Sequence, residues 1–166
     1  GEGLKTWKPE NYGKKFYGPS TLRTGIEKSR NLMTVRIAQA VGFDQISKFT
    51  KNFGIYDDVP ELLSVSLGAA ETTLIKLTNA YCSFVNGGKK VEPLFIDRIQ
   101  DRRGKTIFNA DKRKCIGCEE ISYLKEEIPF IQNDSDQIIS TETAYQITSM
   151  LEGVVKRGTG RKLKNI

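Results

Sequence analysis

The sequence has 166 residues, 38% of them hydrophobic, and a formal charge of +6 from 26 basic and 20 acidic side chains, enough chain for one domain or part of a larger one. It contains no histidine, which excludes Ser-His-Asp and Cys-His catalysis and any zinc site built on imidazole. No run of about 18 apolar residues occurs, so no segment reads as a membrane-spanning helix or a secretory h-region.

The first 20 residues place Trp7, Pro9, Tyr12, Phe16, Tyr17 and Pro19 among glycines and lysines, the composition of an irregular segment anchored by aromatic rings. Ser20 or Thr21 can cap a helix from Leu22 that carries Ile26 and runs into Ser29-Arg30-Asn31. A second helical pattern sets Leu32, Val35 and Ala38 on one side, broadened by Ile37 and Val41, and stops at Gly42. Asp44 is the expected cap of a third helix with Ile46, Phe49 and Phe53 at helical spacing and Gly54 at its end. After Asp57, Asp58 and Pro60, the chain reaches Leu62–Leu67. A fourth helix from Thr72 or Thr73 aligns Leu74, Leu77, Tyr81 and Phe84 in one stripe, closed by Gly87-Gly88.

Beyond Gly88 the pattern changes. Leu94–Ile99 and Lys105–Phe108 read as two strands joined by a turn at Asp101–Gly104. Residues 110–137 are charged and weakly periodic, an insertion or long loop. A last helix starts at a Ser140 or Thr141 cap and carries Ala144, Ile147, Leu151 and Val154 on one face. The chain is then expected to fray through Gly158-Thr159-Gly160 into a tail. Lys156, Arg157, Arg161, Lys162 and Lys164 crowd these last eleven residues, which reads as a solvated basic tail. No aromatics interleave with them, and charge alone argues for a nucleic-acid partner, so none is expected.

Three cysteines are present, Cys82, Cys115 and Cys118. The Cys115-Ile116-Gly117-Cys118 pair is open to three readings: a local disulfide or idle thiols, a structural staple, or a metal site. An all-cysteine zinc site would need a fourth thiolate, and a redox pair would need a strand running into a helix.

Ser29-Arg30-Asn31 is a weak signal by itself, since Ser29 and Asn31 could simply cap the second helix. Its surroundings add to it. The string Trp7-Lys8-Pro9-Glu10-Asn11-Tyr12, Tyr17-Gly18-Pro19, Thr21-Leu22-Arg23, Ser29-Arg30-Asn31, Val35-Arg36 and Val41-Gly42 resembles class A penicillin-binding proteins. The likeness continues through Ser66-Leu67-Gly68-Ala69, Ala80-Tyr81, Asn86-Gly87-Gly88 and Gly158-Thr159-Gly160, and covers nearly the whole chain apart from residues 110–137.

In such enzymes Ser-x-x-Lys, Ser-x-Asn and Lys-Thr-Gly converge on one cleft. The resemblance implies that Ser29 and Asn31 are catalytic, Ser29 passing a proton to the departing D-alanine amine. Asn31 would also bind substrate, fixing its backbone together with the lysine of the first motif. Trp7 is a candidate cleft-lining residue, or else a buried anchor. Arg30 takes the variable position and is given no catalytic role. The nucleophile and its lysine are expected outside this chain. Ser122-Tyr123-Leu124-Lys125 matches the first motif in the wrong order, Lys105-Thr106 is followed by Ile107, and Gly158-Thr159-Gly160 reads as a flexible turn. Asn133-Asp134-Ser135 fits a glycosylation acceptor, which carries no weight here.

The expected fold class is α+β, part of the penicillin-binding transpeptidase fold. Residues 1–166 form a partial domain: a helical part to residue 88, a hairpin over 89–109, a variable insertion over 110–137, and a helix with basic tail from 138. The resemblance implies a bifunctional peptidoglycan synthase with a glycosyltransferase domain and a membrane anchor in the complete protein, on the periplasmic face of a bacterial inner membrane. Its implied partners are D-Ala-D-Ala stem peptides and β-lactams, with a link to antibiotic resistance. The implied serine chemistry needs no cofactor and no metal, and this chain alone is expected to be inactive. A non-catalytic scaffold that kept the fold is the rival reading.

Overall fold

The computed structural model describes residues 7–116, 118, 130–132 and 134–165. Ser122–Lys125 and Asn133 therefore lie outside the described residues. Helix α1, Leu22–Glu27, begins where the Thr21 hydroxyl accepts the Thr24 N–H at 3.2 Å. Six residues cannot hold a helix alone, so its position depends on what it packs against. Helix α2, Asn31–Val41, buries Val35 and Ala38, one face at a spacing of three.

Helix α3, Phe43–Asn52, follows without a break because Gly42 (φ +88°) turns the chain between them. The expected Asp44 cap is therefore corrected. Gly42 occupies the capping position, and Asp44 sits inside the first turn, where its charge suits the positive helix end. Phe53, 3% exposed, stacks on Phe49 at 4.9 Å and meets Phe84 at 5.0 Å, joining the end of α3 to the next helix. A 3₁₀ turn at Leu63–Leu67 packs Val65 against α2.

Helix α4, Leu74–Val85, is capped by Thr73, whose hydroxyl accepts the Lys76 N–H. The expected apolar stripe is not its buried face: Leu74 is 82% exposed, whereas Ala80 and Ser83 are buried. The cause is polar. The Ser83 hydroxyl donates to Asn79 O and accepts the Val91 N–H, and the Asn79 amide reaches Val91 O, so residues 89–91 run across the small-residue face. Gly88 (φ +82°) receives the Ile138 N–H on its carbonyl, and a side chain there would strike the Ile139 backbone.

Strands β1, Arg98–Gln100, and β2, Thr106–Asn109, form an antiparallel hairpin with Ile99 opposite Phe108, exposed throughout. Its turn is tied by the Asp101 carboxylate, which accepts the N–H groups of Arg103 and Lys105. Residues 110–137 are not wholly irregular. Strands β3, Cys115–Ile116, and β4, Phe130–Ile131, pair antiparallel, and Cys115 is disulfide-bonded to Cys118. Two-residue strands are too short to leave a period-two pattern.

Helix α5, Thr141–Lys156, is capped by Ser140 and packs on both α1 and α4, burying Ala144 and Gly153. The expected fraying after it is also corrected. Gly158 N–H bonds to Gly153 O, Thr159 N–H to Glu27 O at 3.1 Å, and a 3₁₀ turn follows over Arg161–Asn165. Nor are all the tail cations solvated alone: Lys156 pairs with Glu152 and Arg157 with Glu27.

Candidate functional site

The link between α1 and α2 is a closed backbone turn. Ser29 N–H bonds to Ile26 O at 3.1 Å and Arg30 N–H to Gly25 O at 2.9 Å, the paired 5→2 and 6→1 bonds that end many helices. The residue in the left-handed position of such a turn is usually glycine. Here it is Ser29, with φ +50°, a conformation costing an L-residue roughly 1–2 kcal/mol. The hydroxyl is exposed and has no hydrogen-bond partner among the described residues.

Ser29 and Asn31 do not cap α2. Arg30 occupies the capping position without a side-chain bond, and the Leu32 N–H is capped from a distance by Asn11 Oδ1 at 3.2 Å. Asn11 is buried, and its amide donates to Lys15 O at 2.8 Å, so one carboxamide both folds the N-terminal segment and docks it on α2. Asn31 Nδ2 donates to Glu10 O at 2.9 Å, which fixes which end of the carboxamide carries the nitrogen. One Asn31 N–H and its oxygen are left available. The expected aromatic anchoring is corrected accordingly. Trp7 is 46% exposed, not a buried anchor, and Tyr12 and Phe16 are exposed too. Of these rings Tyr17 alone has a described partner, the Arg30 guanidinium stacked 3.2 Å from its centroid.

Sequence reasoning passed over Glu27. Its side chain is 8% exposed and accepts from Arg157 Nη2 at 2.5 Å and Nε at 3.3 Å, with Arg23 Nη1 3.6 Å away. The Arg157 hydrogen bonds hold its carboxyl below the ordinary value of 4.5, against the opposing effect of burial. The Arg157 guanidinium is shifted upward by the same bonds. Arg23 in turn donates to Ser149 O and Oγ on α5. The Arg23–Glu27 spacing of four was a readable helix pair. Its burial was not, because that depends on Gly153, where a Cβ would collide with the Glu27 carboxylate.

The turn thus presents a free hydroxyl and a half-used carboxamide two residues apart on a rigid base. Such a pair can relay a proton and hold an amide backbone, but it cannot activate a nucleophile by itself. No metal-ligating cluster occurs among the described residues. A concavity of about 1330 Å³ between α4, residues 90–94, 110–113 and α5 is not lined by Ser29 or Asn31.

Residues 2–165 match the penicillin-binding protein transpeptidase domain. The chain is 46% identical over 168 residues to penicillin-binding protein 1A of Rickettsia conorii, covering 100% of this chain and 21% of that protein. The crystal structure of penicillin-binding protein 1A from Haemophilus influenzae superposes with a TM-score of 0.79 at 31% identity, over 99% of this chain and 27% of that one. Penicillin-binding protein A of Mycobacterium tuberculosis, solved as an imipenem acyl-enzyme complex, shares the fold alone, at 19% identity and a TM-score of 0.66, over 91% of this chain and 35% of its own. The chain spans about a fifth of the length of its curated relatives and belongs to the penicillin-binding protein transpeptidase family.

Proposed function

We propose that this chain is the Ser-x-Asn wall of a D,D-transpeptidase site, and that the complete protein cross-links peptidoglycan stem peptides through a serine acyl-enzyme. The observation that carries this reading is Ser29 itself. A hydroxyl is kept at a backbone position where glycine would be less strained, and it neither caps a helix nor bonds to a described neighbour. Strain of this kind is tolerated where function demands it.

In the proposed reaction a serine outside this chain, deprotonated by its lysine, attacks the carbonyl of the D-Ala-D-Ala bond. The tetrahedral intermediate collapses as the C–N bond breaks. Ser29 Oγ–H gives its proton to the leaving D-alanine amine and regains one from the lysine. An acceptor amine then attacks the acyl ester, the bond to the serine oxygen breaks, and the amine's proton returns through the lysine to that oxygen. The free N–H and oxygen of Asn31 hold the substrate backbone and the lysine in line, and Trp7, being exposed, is available to line the approach. This chemistry requires neither a metal nor an organic cofactor. β-Lactams would enter as analogues of the D-Ala-D-Ala bond and stay as stable acyl adducts that block the site; slower acylation at this site would be the link to antibiotic resistance. Residues 110–137 are read as a variable insertion. The complete protein would add a glycosyltransferase domain and an inner-membrane anchor, with this part on the periplasmic side. Among the described residues no helix is long and apolar enough to cross a membrane.

The large apolar side chains left exposed, among them Leu74, Val85 and Phe95, support a larger domain whose other parts cover them. The test is to label the complete protein with a fluorescent penicillin and map the modified peptide by mass spectrometry. The adduct is expected on a serine outside residues 1–166; an adduct on Ser29 or Ser122 would refute the assignment.

A further inference from the structure

Three separate tethers join the end of α1 to the segment that follows α5. The Glu27 carboxylate takes the Arg157 guanidinium in a two-point grip. Lys28 Nζ donates to Arg157 O at 2.7 Å, and Thr159 N–H donates to Glu27 O at 3.1 Å. All three act on the two residues immediately before Ser29. The seat is cut for them: a Cβ at Gly153 would strike the Glu27 carboxylate, and one at Gly158 would strike Glu27 O. Arg23 adds a fourth attachment, from α1 to Ser149 on α5.

A six-residue helix has little stability of its own, and a left-handed serine persists only where its surroundings leave it no alternative. We infer that Glu27 and Arg157 are positioning residues for the transpeptidase reaction: their ion pair, with the carboxylate buried and the guanidinium half exposed, holds the strained Ser29 turn against residues 157–160 and so sets where the Ser29 hydroxyl points. This rests on the reading of Ser29 as the proton-relaying hydroxyl. The pair touches no substrate in this account and acts through the backbone of residues 27–29.

The test uses the complete protein and a fluorescent penicillin, separating the first-order acylation rate from the non-covalent binding constant. Glu27→Gln keeps the shape but weakens the grip. It is expected to lower the acylation rate by about 10²-fold, the effect of an ångström-scale misplacement, with little change in non-covalent binding. Arg157→Lys keeps the charge and loses the fork, so it should fall between wild type and Glu27→Gln; it also serves if Glu27→Gln does not fold. In a Ser29→Ala background Glu27→Gln should cost nothing further, because the group it positions is gone. Unchanged acylation in Glu27→Gln or in Arg157→Lys would overturn the inference. So would losses that multiply in the double variant, since Glu27 would then be supporting the fold and not Ser29. Normal acylation by Ser29→Ala would instead refute the underlying reading of Ser29, whatever Glu27 does.

Discussion

Replacing Ser29 by glycine separates stability from chemistry at one position. The native serine holds φ +50°, at a cost of roughly 1–2 kcal/mol for an L-residue. Glycine removes that cost but adds about 0.4–1 kcal/mol of unfolded-chain entropy. The net gain is about 0.5–1 kcal/mol; about 1–4 °C is the shift for a domain of 150–250 residues, so in the larger complete domain a rise of roughly 1–2 °C is expected. Ser29→Ala keeps a Cβ in the left-handed region and gains nothing. Both variants lose the hydroxyl. The assay is thermal unfolding of the complete protein, following the transition that a bound β-lactam shifts, alongside single-turnover acylation. Ser29→Gly is expected to melt higher than wild type and Ser29→Ala, and both variants to acylate slowly. A glycine variant that melts below the alanine variant would refute the strained-turn argument.

Other perturbations test neighbouring parts of the same arrangement. Asn11→Ala leaves the Leu32 N–H uncapped and frees the 11–15 loop, so it should cost about 1–2 kcal/mol in urea unfolding; Asn11→Asp, which keeps the acceptor, should recover part of the loss. Gly153→Ala drives a methyl into the Glu27 carboxylate and should lower the thermal midpoint and the acylation rate together, whereas Gly104→Ala at the exposed hairpin turn should leave acylation unchanged. Glu27 has a folded pKa depressed chiefly by Arg157, with Arg23 adding to it. Its contribution to stability is therefore fully present above the unfolded value of 4.5 and is lost as pH falls through the lower folded value. A pH series of thermal midpoints should show this acid limb in the wild type and a flatter one in Glu27→Gln.

The helices were legible because their ends are chemically marked. Thr21, Thr73 and Ser140 each accept an N–H three residues on, as the pattern of hydroxyls before apolar runs implies. The proposed Ser-x-Asn assignment rests on the residues around Ser29 and Asn31, because the triplet by itself is a weak signal. What the sequence concealed has physical causes. Gly42 looks like a stop, and only the backbone shows it linking two helices directly, which displaced Asp44 from the cap. On α4 the periodicity of Leu74, Leu77, Tyr81 and Phe84 is real, but the described structure buries the Ala80 and Ser83 side because Val91 hydrogen-bonds there. Asn11 and Glu27 act across 21 and 130 residues of sequence, and no local pattern encodes a partner that far away. The tail reads as frayed because glycines and lysines usually are; here the glycines make room for Glu27 and the backbone bonds that hold the turn.

The most direct measurement is the acylation rate of the complete protein by a fluorescent penicillin with Ser29→Ala and, separately, Asn31→Ala. Each substitution is expected to slow acylation by about 10²- to 10⁴-fold, the range for a lost proton relay or positioning group, while the thermal midpoint stays near that of the wild type. Acylation at the normal rate in both variants would contradict it and leave Ser29 and Asn31 as ordinary residues of a helix junction.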